Sequence, residues 1–230
     1  RDFLRKMEDQ DTMDKKISCA IFDVDGTILD SMSIWMDAGK LYLESLGIKT
    51  DENIGEVMFE MTLEQGAKYL QDNYNVELSI EEICQGINDR VFEFYEKEAP
   101  EKPGIREVLE KARNSGIAMT IATSTDRPMI EAALKRLDLI DYFQEIFTTT
   151  EVGKGKDSPD IFNKAMLAMN TSPENTWLFD DAAYSLATAK KMGINTVGVY
   201  DVHSDGRQDE VKKFSDVYIK EWREYKININ

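Results

Sequence analysis

The run Ile17-Ser18-Cys19-Ala20-Ile21-Phe22, followed at once by Asp23-Val24-Asp25-Gly26-Thr27, is where the fold of this 230-residue chain is decided. A short apolar run with little polar alternation reads as a strand covered on both faces. Two carboxylates one residue apart stand at its end, and the glycine allows a sharp turn. Four more runs of this kind follow, at 117–122, 145–148, 176–179 and 196–199. Helical patterns separate them. After Pro103-Gly104, residues Ile105, Val108, Leu109 and Ala112 recur at helical spacing, as do Ile130, Ala133, Leu134 and Leu137. Ser158 reads as an N-cap with Pro159 at the first helical position, leading into Phe162, Ala165, Met166 and Met169 on one face. A last helix spans about 182–192 and stops at Gly193.

Strands alternating with helices make an α/β protein with a Rossmann-like parallel sheet and helices on both faces. That core takes residues 13–30 and 101–230. Residues 31–100 break the alternation and read as an inserted all-helical cap domain. Ser79-Ile80-Glu81-Glu82 fits a capping box, and Ile80, Ile83, Cys84, Ile87, Val91 and Phe94 form a stripe after it; Leu63, Ala67, Leu70 and Tyr74 form another. Met13-Asp14-Lys15-Lys16 resembles a natural start, which would leave residues 1–12 as an N-terminal extension outside the fold.

Composition narrows the functions open to the chain. With 44 acidic against 28 basic residues, a formal charge of −16 opposes binding to nucleic acid or an anionic membrane. No long apolar run or signal-like segment is present. The expectation is a cytoplasmic protein, a monomer or weak homodimer, whose partner is a small molecule. Cys19 and Cys84 lack metal or redox spacing and read as core residues. His203, the one histidine, sits in the polar stretch 201–208, which leaves little room for Ser-His-Asp or Cys-His catalysis or a histidine-rich zinc site. Chemistry must rest on carboxylates, hydroxyls, lysine and backbone.

Four places at strand ends or helix starts supply such groups, and open α/β sheets bind ligands at the carboxyl ends of their strands. They are Asp23-Val24-Asp25-Gly26-Thr27, then Thr123-Ser124, then Gly155-Lys156-Asp157-Ser158-Pro159-Asp160-Ile161-Phe162, then Asp180-Asp181. In this order they resemble the four motifs of the haloacid dehalogenase superfamily. The helical insertion is similar to that of its phosphoglycolate phosphatase and β-phosphoglucomutase branch. The resemblance implies a Mg²⁺-dependent phosphatase with Asp23 as nucleophile and metal ligand. It implies Asp25 as general acid and base, with its backbone carbonyl on the metal. Thr123 and the backbone N–H groups of Val24 and Ser124 would hold the phosphoryl group, and Lys156 would neutralise the nucleophile and the phosphoryl oxygens. Asp180 and Asp181 would serve Mg²⁺, Asp181 directly, and the cap would close to exclude bulk water. Asp157 replaces a usual proline, which leaves the rigidity of that loop in question. Ser185 replaces a common glycine, a change expected to affect helix packing more than chemistry.

Electrostatics argues the same way. Clustered carboxylates, taken here as Asp23, Asp25 and Asp181, repel unless a cation lies between them, and Mg²⁺ suits an all-oxygen site. Asp23 would attack phosphorus while protonated Asp25 gives its proton to the departing oxygen; Asp25 would then activate water. The expected substrate is a small phosphomonoester. Two other classes share parts of the pattern: a receiver domain, which lacks so large an insertion, and a binding protein that keeps the fold without turnover. A β-phosphoglucomutase-like mutase is the enzymatic alternative. It needs positive charge in the cap, where 31–100 carries fifteen acids and five bases, and the loop Glu60-Met61-Thr62-Leu63-Glu64 has no base. Trp35, Phe59, Met61 and Arg90 are the cap residues that could face a substrate.

Overall fold

A computed structural model describes residues 17–58 and 61–226, apart from the side chains of Ser204 and Asp205. The expected extension at 1–12, the start at Met13, and Phe59 and Glu60 of the cap lie outside the described residues. Among the described residues six strands are present: β1 (Cys19–Phe22), β2 (Ala118–Thr123), β3 (Ile146–Thr148), β4 (Thr176–Asp180), β5 (Asn195–Val199) and β6 (Val217–Ile219). The helices are α1 (Ser33–Ser45), α2 (Ile54–Met58), α3 (Leu63–Tyr74), α4 (Ile80–Lys97), α5 (Ile105–Asn114), α6 (Arg127–Arg136), α7 (Thr149–Val152), α8 (Asp160–Ala168), α9 (Ala183–Lys191) and α10 (Gln208–Lys213).

The strands form one parallel sheet in the order β3-β2-β1-β4-β5-β6, the Rossmann-like arrangement expected of the alternation. Every residue of β1, β4 and β5 is buried, which is why these strands are apolar without alternation. From β1 the order runs one way to β2 and β3 and the other way to β4, β5 and β6. The β1/β4 boundary is therefore the switch point where such sheets open a crevice at their carboxyl ends. Phe22 pairs with Ile121 on one side and Phe179 on the other. Asp23 and Asp180 thus leave the sheet side by side, with Asp23 N–H donating to Phe179 O at 2.9 Å.

The chain divides into two compact units, one reaching Asp30 and resuming at Pro100, the other Ser31–Ala99. In the first, Cys19, Ile21, Leu178, Phe162 and Leu186 pack in one core cluster. Phe22 and Phe179 stack with ring centroids 4.6 Å apart, and Trp222 lies 5.6 Å from Phe179. The Trp222 indole N–H donates to Thr27 O at 2.8 Å, which ties the loop after β1 to the core. In the second unit, Ile34, Leu43, Ile54, Leu70, Ile87 and Tyr95 are buried. The Ser79 capping box forms, with Glu82 N–H donating to Ser79 Oγ at 3.2 Å and Ser79 N–H to Glu82 Oε2 at 2.8 Å. Thr62 and Gln65 make a second one at α3, unforeseen in the sequence.

Several local expectations need correction. Pro159 is the N-cap of α8, not its first residue, because the Ser158 hydroxyl donates to the Asp160 carboxylate at 2.5 Å instead of accepting from the helix. Ile80 is exposed and Cys84 half-buried, so the apolar stripe of α4 begins at Ile83. The strand β6 and helix α10 went unread: three residues are too few for a period, and α10 is a six-residue helix that begins where the polar stretch 201–208 ends.

Candidate active site

Burial brings the acids of two strand ends together. Asp23 follows β1 and Asp180 ends β4, while Asp181 lies one residue on; all three are buried, at 5 %, 0 % and 5 % exposure. One carboxylate oxygen from each lies within 4.8 Å of the others. Lys156, 3 % exposed in the turn before α8, reaches Asp23 Oδ1 at 2.6 Å and Asp180 Oδ2 at 2.8 Å. Burial tends to lower the lysine's pKa, but Asp180 and Asp23 outweigh it and hold the ammonium well above its usual range. Burial drives the Asp23 carboxyl far above the usual carboxylate range against the pull of Lys156, with Asp180, Asp181 and Asp25 adding to the rise. The Asp181 carboxyl is pushed up to about 7 by burial first and Asp180 second.

Charge balance follows from this geometry. Three ionised carboxylates against one ammonium leave two negative charges in a dry pocket, which protons or one divalent cation can offset. An all-oxygen donor set suits a hard cation such as Mg²⁺. Gly26 shows how tightly the acids are held. Its φ is +80°, and a Cβ there would lie 2.6 Å from Asp181 Oδ2. Only glycine both takes this conformation easily and leaves room for the carboxylate.

Around the acids stand the other residues the sequence singled out. Thr27 Oγ1 donates to Asp23 Oδ2 at 3.3 Å, and Val24 O accepts from Ile28 and Leu29 N–H at 2.9 Å each, which winds the loop into a tight turn. The Asp25 side chain does not join the buried trio; it accepts from Thr125 Oγ1 at 2.7 Å. Asp180 takes the place that the sequence argument gave it in the trio. Thr123, buried at the end of β2, accepts from Thr125 N–H at 3.1 Å, whereas Ser124 is exposed and bonds the Tyr184 phenol. Without the usual proline, the loop at Asp157 still closes, with Ser158 N–H donating to Gly155 O at 3.1 Å.

A family profile described as haloacid dehalogenase-like hydrolase matches residues 20–199, which contain all of these groups. The chain belongs to that family. Among its relatives, this hydrolase is 27 % identical over 192 residues to a phosphorylated carbohydrates phosphatase of Thermotoga maritima, spanning 83 % of this chain and 89 % of that one. It is 28 % identical over 224 residues to a β-phosphoglucomutase of Bacillus subtilis, spanning 92 % and 98 %. A solved structure of a candidate β-phosphoglucomutase from Thermotoga maritima superposes with a TM-score of 0.80 at 25 % identity, covering 90 % of this chain and 96 % of that one.

Three features of this hydrolase's site escaped the sequence reading. Ser185, expected to matter for packing, donates to Asp180 Oδ2 at 2.5 Å, so the hydroxyl that replaces the common glycine anchors an acid of the trio. Thr125 binds Asp25, and its place two residues past Thr123 at a strand end was the available signal. Half-buried Lys102 and buried Asp201 form an ion pair at 2.8 Å, and both act on the Asp181 carboxyl electrostatically. Asp201 follows closely after β5, another strand end. His203 pairs its ring with Asp201 at 3.1 Å. Among the described residues no helix is long and apolar enough to cross a membrane.

Proposed function

We propose that this hydrolase is a Mg²⁺-dependent phosphatase of small phosphomonoesters that works through a phosphorylated Asp23. The observation that carries the reading is the buried Asp23–Lys156–Asp180 array at the sheet's switch point, with Asp181 beside it. A nucleophilic carboxylate is useful here because Lys156 and a divalent cation offset its charge, so that an anionic phosphate can approach. The phosphatases among the relatives support the same class of substrate.

Asp23, Asp180, Asp181 and the backbone carbonyl of Asp25 are the groups that would hold Mg²⁺; when bound, it supplies positive charge to the phosphoryl oxygens. The chain's own residues then divide the work. Asp23 attacks phosphorus as the ester P–O bond breaks, and Asp25 gives its proton to the departing oxygen. Lys156, the Thr123 hydroxyl and the backbone N–H groups of Val24 and Ser124 receive the charge that develops on the transferred group. Asp25, now ionised, takes a proton from water as that water attacks phosphorus and the bond to Asp23 breaks.

The test is phosphate release from a panel of phosphomonoesters with Mg²⁺ and with chelator, for the wild-type chain and for Asp23→Asn and Asp25→Ala. Wild-type turnover should require Mg²⁺, Asp23→Asn should lose several powers of ten, and Asp25→Ala should accumulate phosphate on Asp23, detectable by peptide mass spectrometry. A tenth of wild-type activity left in Asp23→Asn would overturn the nucleophile. The β-phosphoglucomutase relative gives a second reading, transfer to a sugar hydroxyl instead of water.

A further inference from the structure

Thr125 enters none of these steps, yet it touches two residues that do. Its residue is buried at 7 % exposure, its hydroxyl donates to Asp25 Oδ2 at 2.7 Å, and its backbone N–H donates to Thr123 Oγ1 at 3.1 Å. The distances are those of well-formed hydrogen bonds, the first to a carboxylate. A threonine hydroxyl that accepts through one lone pair keeps its own proton for another acceptor, so the N–H of Thr125 leaves Thr123 as a donor. The Thr125 hydroxyl, in turn, keeps Asp25 Oδ2 as an acceptor.

We infer that Thr125 is a positioning residue for Asp25: by occupying Oδ2 it assigns the transferable proton to Oδ1 and fixes the carboxyl plane toward the departing oxygen. This rests on the hydrolase reading above. In the first step the proton on Oδ1 passes to the ester oxygen as its bond to phosphorus breaks; in the second, Oδ1 takes a proton from the attacking water. Oδ2 accepts from Thr125 throughout, so the carboxyl need not rotate between the two steps. Removing the Thr125 hydroxyl leaves the acid present without this hold on Oδ2, and the loss should fall on substrates whose leaving group needs a proton.

The experiment compares kcat/KM of the wild type, Thr125→Val and Thr125→Ser on two substrates with Mg²⁺. p-Nitrophenyl phosphate expels a stabilised phenolate that hardly needs protonation, whereas glycerol phosphate expels an alkoxide that does. Thr125→Val should lose roughly 30-fold or more on glycerol phosphate and about threefold or less on the aryl ester, with Thr125→Ser restoring the alkyl activity. Thr125→Ala removes the same hydroxyl and carries the comparison if the valine variant melts early. Equal losses on both esters, or a serine variant as poor as valine, overturn the inference while the hydrolase reading stands. A wild-type chain inactive on both esters overturns that reading, and the inference with it.

Discussion

Lys156 Nζ bridges Asp23 Oδ1 and Asp180 Oδ2, at 2.6 and 2.8 Å, with all three residues shut away from solvent. A buried cation shared by two carboxylates is costly to remove, because it leaves uncompensated charges in a dry site. Lys156→Ala should therefore lower stability by about 3–5 kcal/mol at neutral pH and reduce kcat/KM on the order of 100-fold or more. Thermal melts and steady-state kinetics check both. A variant as stable as the wild type would mean that the neighbouring acids are neutralised without the lysine.

Asp181 gives a pH-dependent test. Its carboxyl, raised to about 7 by burial and then by Asp180, ionises near about 3.9 in an unfolded chain. Between these values the folded chain keeps a proton that the unfolded chain has released, so the group's stabilising contribution is full below about 4 and is lost as pH rises to 7. In chelator, Asp181→Asn should therefore melt about 4 °C or more above the wild type at pH 8, with the gap narrowing toward pH 4. Adding Mg²⁺ at pH 8 should raise the wild type and leave the variant nearly unmoved. A gap that does not change with pH would refute the linkage.

Gly26 and Asp181 pack so closely that no side chain fits between them: a Cβ would stand 2.6 Å from Oδ2, at a backbone φ of +80°. Gly26→Ala should cost about 1–3 kcal/mol in strain. It should also push the Asp181 carboxylate out of the trio, so the Mg²⁺ concentration for half-maximal activity should rise at least tenfold while the secondary structure by circular dichroism is kept. Unchanged Mg²⁺ dependence would show that Asp181 is not held by this contact.

How far the sequence could lead is visible in these same residues. The apolar run before Asp23 and the alternation after it were enough for the sheet, because a parallel strand buried on both faces leaves a mark in every position. Asp23, Asp180 and Asp181 were legible as motif residues at strand ends, and Lys156 as one before a helix start. Thr125 was not, nor was the bond that Ser185 makes to Asp180: a hydroxyl that bonds a carboxylate has no period and no spacing rule, and its partner is set by packing. The ion pair of Lys102 and Asp201 is hidden in the same way, since Lys102 and the neighbouring Tyr200, whose carbonyl also receives the lysine, stand 98 positions apart in the chain. The edge strand β6, three residues long, is too short to be told from a loop.

The last prediction concerns the acceptor. Mutase chemistry passes through a species with two phosphates, so a second phosphate must be held away from Asp23 by positive charge. Residues 31–100 hold fifteen acids and five bases, and the bases that are paired are paired within this unit. Arg90, its one arginine, is 2.9 Å from Glu98 and 3.5 Å from Glu93. Lys97 is 3.0 Å from Glu93, and Lys68 pairs with Asp72. The Arg90 Nη1 makes no hydrogen bond, but the two glutamates beside the guanidinium offset its charge, which weakens its use as a phosphate grip. The chain should therefore release phosphate to water, and it should prefer neutral or amine-bearing phosphomonoesters to bisphosphates and phosphoglycolate. Measured at fixed ionic strength, kcat/KM for the first group should exceed that for the second. A tenfold preference for the doubly anionic substrates would overturn this substrate preference, and efficient interconversion of β-glucose 1-phosphate and glucose 6-phosphate would overturn release to water.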